Sequence, residues 1–435
     1  MENQIVLCYY SRETSYWEVK NLKKIIFHID VNSAFLSWEA FYRKKYLGET
    51  DDLRDKVAAV GGDRSKRHGI ILAKSTSAKK YGVRTGESIT EALKKCPNLL
   101  LVPPNHAWYK QCSNKLMEFL QQYSPVIEQF SIDEAFMDMT GTTTLWGPPE
   151  IAAENMRKRI KEELGFTVNI GISDVKLLAK MASDFEKPDK VHTLYRSEIK
   201  EKMWPLPVTE LFFVGKATAK KLNSMGIYTI GQLAQTDFRV LQAHLKKQGE
   251  VIWRFANGED VSIVQDEPAA NKGYGNSTTI AFDVTDPETA KRILLRLSES
   301  VAERMRYDNM QAEVLSVEIK NNELVSCSHQ MTLVNPTNIT QEIHEYACLL
   351  FDELWSGAPI RLLGVRANKV REQEDARQMS LFDHRDYEKL EKMDEAVDAI
   401  RKRFGNQAIQ RASFMKKEEK VTGGKREKEK DGRIF

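Results

Sequence analysis

Phe130-Ser131-Ile132-Asp133-Glu134-Ala135-Phe136 is the stretch that decides how this chain reads. Two adjacent acids sit inside an apolar run. A strand pair over Val126–Met139 would bury the aromatic residues and carry Asp133 and Glu134 at its turn. A second run, Ile25-Ile26-Phe27-His28-Ile29-Asp30, ends an apolar strand on another carboxylate. A fold that joins the two runs gathers three carboxylates in one small space, and like charges that close need a cation among them. Oxygen-only ligands suit Mg²⁺ better than zinc. Two such ions roughly 3.5–4 Å apart stabilise the attacking and leaving oxygens of an in-line phosphoryl transfer. The plain alternative is that the Asp-Glu pair only marks a turn. The apolar flanks weigh against it, because burying unpartnered carboxylates is costly.

The chain around these runs has 435 residues, 41% of them apolar, which predicts several domains with real cores. A formal charge of +3 neither demands nor excludes a nucleic-acid partner, since clustering matters more than the sum. Five cysteines are scattered without a CxxC, which disfavours a disulfide framework or a zinc site and fits a reducing cytosol. No apolar run is long enough to span a bilayer, and the N-terminal stretch lacks the apolar core of a signal peptide. The expectation is a cytoplasmic protein without a membrane partner.

Residues 1–24 read as an irregular lead-in. Strands and helices then alternate to about residue 195, predicting an α/β or α+β first half. Val208–Gln235 is a compact helical stretch, and helical character continues to Gly258. A polar linker over 259–272 precedes a small α+β domain with strand Ser277–Phe282, helix Pro287–Tyr307, strands Ala312–Lys320 and Gln330–Val334, helix Gln341–Trp355 and strand Arg361–Asn368. Beyond Val370 charges dominate, and 414–435 reads as disordered. The segment Tyr387–Phe404 is an amphipathic helix without a legible role.

The runs His28-Ile29-Asp30-Val31-Asn32-Ser33-Ala34-Phe35 and Ser131-Ile132-Asp133-Glu134-Ala135-Phe136-Met137-Asp138 resemble the two metal-binding motifs of the Y-family translesion DNA polymerases, nearest the bacterial DinB/UmuC-like group. Gly171-Ile172-Ser173, Lys176, Leu178-Ala179-Lys180, Ala182-Ser183-Asp184, Lys187-Pro188 and Tyr81-Gly82-Val83-Arg84 match at family spacing too, so the resemblance covers about residues 25–370. It implies an α+β multidomain right-hand polymerase. The palm would be 25–35 and 99–190, the small fingers 36–98, a helix-hairpin-helix thumb 191–258 and the little finger 273–370, with 1–24 an extension and 371–435 a tail. It also implies low-fidelity, template-directed addition of dNMP from dNTP substrates to a primer 3′-hydroxyl on primer–template DNA, near the nucleoid. Two Mg²⁺ ions would be bridged by Asp30 and Asp133. Glu134 would hold the ion that activates the 3′-hydroxyl, and the Val31 carbonyl would complete the nucleotide-bound ion.

Around the incoming nucleotide, Phe35 falls on the family's steric-gate position, where a ring under the sugar excludes a 2′-hydroxyl. Lys187 falls on the triphosphate-binding lysine. The fingers depart from the pattern. A Tyr and an Arg usually grip the triphosphate, whereas here the positions read Thr76 and Lys79, and lysine keeps the charge without the bidentate fork. Asn32 stands where many relatives have a second Asp. Ile70 and Leu72 are bulky for a roof over the templating base pair.

Leu211–Leu222 resembles a helix-hairpin-helix in which Gly215 admits a phosphate and Lys216 and Lys220 add charge, with Phe213 in place of the usual first glycine. Thr278 and Arg366 suit phosphate contacts from the little-finger strands. Gln378-Met379-Ser380-Leu381-Phe382 is similar to the peptide by which bacterial polymerases bind the sliding clamp (the β subunit), with Gln378 hydrogen-bonding and Leu381 and Phe382 entering a pocket. Two other functions stay open at this level. One is a DNA-binding accessory protein whose nucleotide pocket has decayed, which Thr76 and Lys79 motivate. The other is a nucleotide cyclase on a related palm, against which the hairpin and the clamp-like peptide argue.

Overall fold

The computed structural model describes residues 23–62, 69–267, 270–373 and 385–414. The chain divides into two compact units near residue 268. In the first unit the strands are β1 (Ile26–Val31), β2 (Ala58–Gly61), β3 (Ile71–Lys74), β4 (Leu100–Val102), β5 (Ile127–Gln129), β6 (Glu134–Asp138), β7 (Val168–Ser173) and β8 (Val191–Thr193). They form a five-stranded sheet in the order β5-β6-β1-β7-β8 and a three-stranded sheet in the order β3-β2-β4.

Strand β1 is the centre of the larger sheet, and all six of its residues are buried. Side chains alternate between the faces of a strand. Phe27, Ile29 and Val31 therefore join the main core beneath the sheet, with Trp38, Tyr109, Leu116 and Phe166. The other face carries Ile26, His28 and Asp30, and Ile26 packs with Phe136, Ala179 and Val264. The helix Lys176–Ser183, buried at every position, lies on that face. Gly171 on β7, opposite His28, makes this approach possible, because a Cβ there would stand 1.9 Å from the Ala179 carbonyl oxygen.

Helices fill the stretch from Lys216 to Ala256 and share a core with the helix Lys176–Ser183 through Leu178, Met181, Leu222, Leu233 and Ile252. The polar linker is partly packed rather than free. Val264 is buried, Lys176 Nζ donates to the Ile263 carbonyl at 3.2 Å, and the Gln265 N–H donates to Glu128 at 2.9 Å.

The second unit is an antiparallel sheet of β9 (Gly273–Val284), β10 (Met310–Asn321), β11 (Ser326–Thr337) and β12 (Ile360–Glu372), in the order β11-β10-β12-β9. The helices Pro287–Tyr307 and Thr340–Leu354 cover one face. The segment Tyr387–Phe404 is a helix built into this unit: Arg306 pairs with Asp394 at 3.0 Å and Asp398 at 2.7 Å. The expectations for 1–22 and 415–435 lie outside the described residues, as does the clamp-like peptide at Gln378, Leu381 and Phe382. No helix among the described residues is long and apolar enough to cross a membrane.

Candidate active site

The two acidic runs meet. Strands β1 and β6 are antiparallel neighbours, with Asp30 opposite Glu134, and the Val31 N–H donates to the Asp133 carbonyl at 3.0 Å. The turn before β6 is organised by Ser131, whose Oγ accepts from the Asp133 and Glu134 N–H groups and donates to Asp133 Oδ1 at 2.6 Å. Backbone pairing thus fixes Asp30, Val31, Asp133 and Glu134 side by side on rigid elements.

Their side chains do not converge as the sequence reading expected. Among the described residues, no three carboxylate, imidazole or thiol groups lie close enough to share one ion. Each acid takes the nearest donor instead. Asp30 accepts from Lys187 Nζ, Asp133 from Ser131, and Glu134 from Lys180 Nζ at 2.8 Å. The lysines come from one segment. Lys180 projects from the buried helix, and Lys187 follows it in a loop where it also pairs with Asp184 at 2.8 Å.

Electrostatics separates the two facing acids. Burial pushes the Asp30 carboxyl up to about 6, against the pull of Lys187, and nearby Glu134 adds to the rise. Burial works on Glu134 in the same direction, but the Lys180 ammonium hydrogen-bonded to it prevails and holds that carboxyl below the ordinary range. His28 itself is buried, and burial lowers its imidazole below the ordinary value. Its Nδ1 meets Ser183 Oγ at 2.7 Å, while Nε2 stands 3.7 Å from Glu134, too far for a hydrogen bond. The donor set fits a hard divalent cation. It is all oxygen, and its buried Asp30 is a carboxylate that a cation would relieve.

Phe35 is half-buried and stacks on Tyr109 with ring centroids 4.9 Å apart and planes 14° apart. Tyr109 is fixed in turn by donating to Glu39 at 3.0 Å. Thr76 and Lys79 are exposed on the short helix Thr76–Lys80 after β3, capped by Ser75. Lys74, which the sequence reading passed over, joins them: burial and then the charge of Lys79 hold its ammonium below the ordinary range. Lys180 was quoted there without a role; its signal was a lysine in the middle of a wholly buried helix that is mostly apolar.

In the hairpin after Leu211, Gly215 precedes the helix Lys216–Ser224, and Lys216 and Lys220 are exposed. A Cβ at Gly215 would meet nothing within 4 Å, so internal packing does not require glycine there. Phe213 has φ 72°, the left-handed conformation for which glycine is suited, and its ring packs on Phe212 and Phe255. In the second unit, Arg366 lines a groove of about 700 Å³ with Gly275, Ser277, Ser316 and Ser328. Thr278 falls, by alternation along β9, on the opposite face with buried Tyr274 and Ile280, leaving Ser277 as the groove residue.

Residues 29–184 match the impB/mucB/samB family, and 271–381 match its C-terminal domain. The chain is 46% identical to the DNA polymerase IV of Clostridium acetobutylicum over 92% of its own length and all of that protein. The chain belongs to the impB/mucB/samB family. It is a DinB-like member of the Y-family polymerases, as its motifs implied. Other members are similar across the same span: DNA polymerase IV of Acetivibrio thermocellus at 40% identity (91% of this chain, 98% of that one) and DNA polymerase IV 1 of Bacillus subtilis at 35% (92% and 95%). Residues 210–260 match a thumb domain described for DNA polymerase iota. A solved Y-family DNA polymerase chimera of Dbh and Dpo4 shares the fold, with a TM-score of 0.67 over 80% of this chain and 100% of that one at 21% identity.

Proposed function

We propose that this chain is a DNA-directed DNA polymerase that adds dNMP from dNTP to a primer 3′-hydroxyl, copying damaged templates at low fidelity. The observation that carries this reading is the register of β1 and β6. It sets Asp30 against Glu134 and ties Val31 to Asp133, joining two motifs about a hundred residues apart in sequence. Asp30, Asp133, Glu134 and the Val31 carbonyl would hold two Mg²⁺ ions. When bound, the ions supply charge neutralisation at the phosphoryl oxygens and the attacking hydroxyl.

The protein's own groups position the reactants. Phe35, braced by Tyr109, presents a flat ring under the sugar and selects deoxynucleotides. Lys187, with Lys79, Lys74 and Thr76, grips the triphosphate by charge rather than by a fork. Gly215, Lys216 and Lys220 hold the duplex backbone, and the Arg366 groove meets phosphates without reading sequence. In this reading the first unit comprises palm, fingers and thumb, and the second is the little finger. The peptide Gln378–Phe382 tethers the enzyme to a sliding clamp and raises its local concentration at the primer end.

Primer extension with Mg²⁺ tests the activity: Asp133→Ala is expected to abolish it, and extension at full rate in that variant would refute the proposal. For the tether, Leu381→Ala and Phe382→Ala are expected to weaken clamp binding; unchanged affinity would reject the peptide.

A further inference from the structure

Asn32 and Asn169 form a two-amide clip on the loop that carries Lys187. Asn169 on β7 is fully buried and pairs with Asp30 across the β1–β7 register. Its Nδ2 donates to the Ser183 carbonyl at 3.1 Å and the Glu186 carbonyl at 2.9 Å. Its Oδ1 accepts from the Lys190 N–H at 3.3 Å and from Asn32 Nδ2 at 3.1 Å. Asn32 is nearly buried, and its Oδ1 accepts from the Asp189 N–H at 2.9 Å. The two side chains therefore grip the backbone just before and just after Lys187.

This pattern leaves no freedom at position 32. Two carbonyl oxygens require the nitrogen of Asn169 on one side, and the Lys190 N–H requires its oxygen on the other, so the amide cannot turn over. Asn32 must then donate to Asn169 and accept from Asp189 at once. An amide does both; an ionised carboxylate only accepts, and would set oxygen against oxygen at Asn169. The neighbouring anchors agree. Ser37 Oγ donates to the Asn32 carbonyl at 2.7 Å, and the Asp189 carboxylate is held by Lys161 at 2.9 Å and by Arg157. The departure from the family's Asp at this position thus matches the local hydrogen-bond grammar.

We infer that Asn32 is a positioning residue for the nucleotide: through the Asn169 clip it holds the 184–190 loop so that Lys187 meets the triphosphate beside Asp30. The inference rests on the triphosphate reading of Lys187. With Thr76 and Lys79 lacking a bidentate fork, the placement of that one ammonium carries more of the grip.

The test is a double-mutant cycle on dNTP KM and kcat in primer extension by the full chain. Asn32→Asp and Asn32→Ala are each expected to raise dNTP KM about tenfold, the effect of losing one such hydrogen bond. The rate at saturating dNTP and primer–template affinity stay within about twofold. Lys187→Ala raises KM on its own, and either Asn32 change made in the Lys187→Ala background adds nothing further. A full additional effect in that background, or a fall in kcat with KM unchanged, overturns the inference. Lys187→Ala with an unaltered KM refutes the triphosphate reading itself. The alanine variant, which adds no charge, keeps the comparison available if the aspartate variant does not fold.

Discussion

Asp30 is predicted to weaken the metal-free fold, and removing its charge should strengthen it. In the folded protein its carboxyl releases the proton at about 6, against an ordinary value of 3.8, with burial the leading cause. Between those values the folded state binds more protons than the unfolded chain, so stability falls as pH rises through the window and the full cost is present at neutral pH. The displacement corresponds to at most about 3 kcal/mol. Asp30→Asn keeps the shape without the charge, and Lys187 retains Asp184 as its partner. In EDTA at about pH 7.5 the variant should melt on the order of 5–10 °C above the parent in the transition of the first unit. At about pH 5, part-way through the window, the gain should fall to about half, because the unfolded chain still releases the proton that the fold retains. Mg²⁺ should raise the parent's melting temperature and leave the variant's unmoved, and the variant should be inactive. Equal melting at neutral pH, or the same gain at both pH values, would refute the reasoning.

Other changes probe other links. Gly171→Ala drives a Cβ into the Ala179 carbonyl and should cost about 3 kcal/mol or more, read by urea unfolding; a loss below about 1 kcal/mol would mean that the helix yields easily. At Phe213, with φ 72°, the glycine variant should be more stable than the alanine variant by about 1 kcal/mol, since both lose the ring and only alanine keeps the left-handed strain. Alanine equal to glycine would contradict this. Phe35→Ala should raise the ratio of ribonucleotide to deoxynucleotide incorporation in kcat/KM; an unchanged ratio would remove Phe35 as the gate.

The parts of the fold that could be read were those whose sequence pattern matches their burial. Strand β1 is buried on both faces because it is central, so its run Ile26-Phe27-His28-Ile29, mostly apolar, announced it. Strand β11 is different. Ser326, Cys327, Ser328 and His329 are exposed and polar, and pairing with β10 rather than propensity makes them strand, so the sequence showed only its apolar end. The helix Tyr387–Phe404 showed its amphipathic pattern, but not that its acids meet Arg306 from a helix about ninety residues earlier. At the site, carboxylate positions were legible as motifs, while the partners of those carboxylates were not. Side-chain direction depends on long-range contacts such as Lys180 to Glu134, and neither local spacing nor charge count reports those.

Those lysines bear on how the proposed site would bind metal. Asp30 and Glu134 face each other on adjacent strands, and two unpaired anions there would oppose the pairing of β1 with β6. Lys180 from the buried helix and Lys187 from the exposed loop that follows it supply the opposing charge, so the sheet carries its own counterions. On the proposed two-metal reading, a divalent cation held by these acids would displace an ammonium from each. The two exchanges are unequal. On that reading Glu134, paired with the nearly buried Lys180, would be the harder to free, whereas Asp30, paired with a more exposed lysine that keeps a second partner in Asp184, would yield first. On the proposed reading, a lysine released from Asp30 would be free to meet the triphosphate, so that metal entry and nucleotide grip would be one exchange of partners at Lys187.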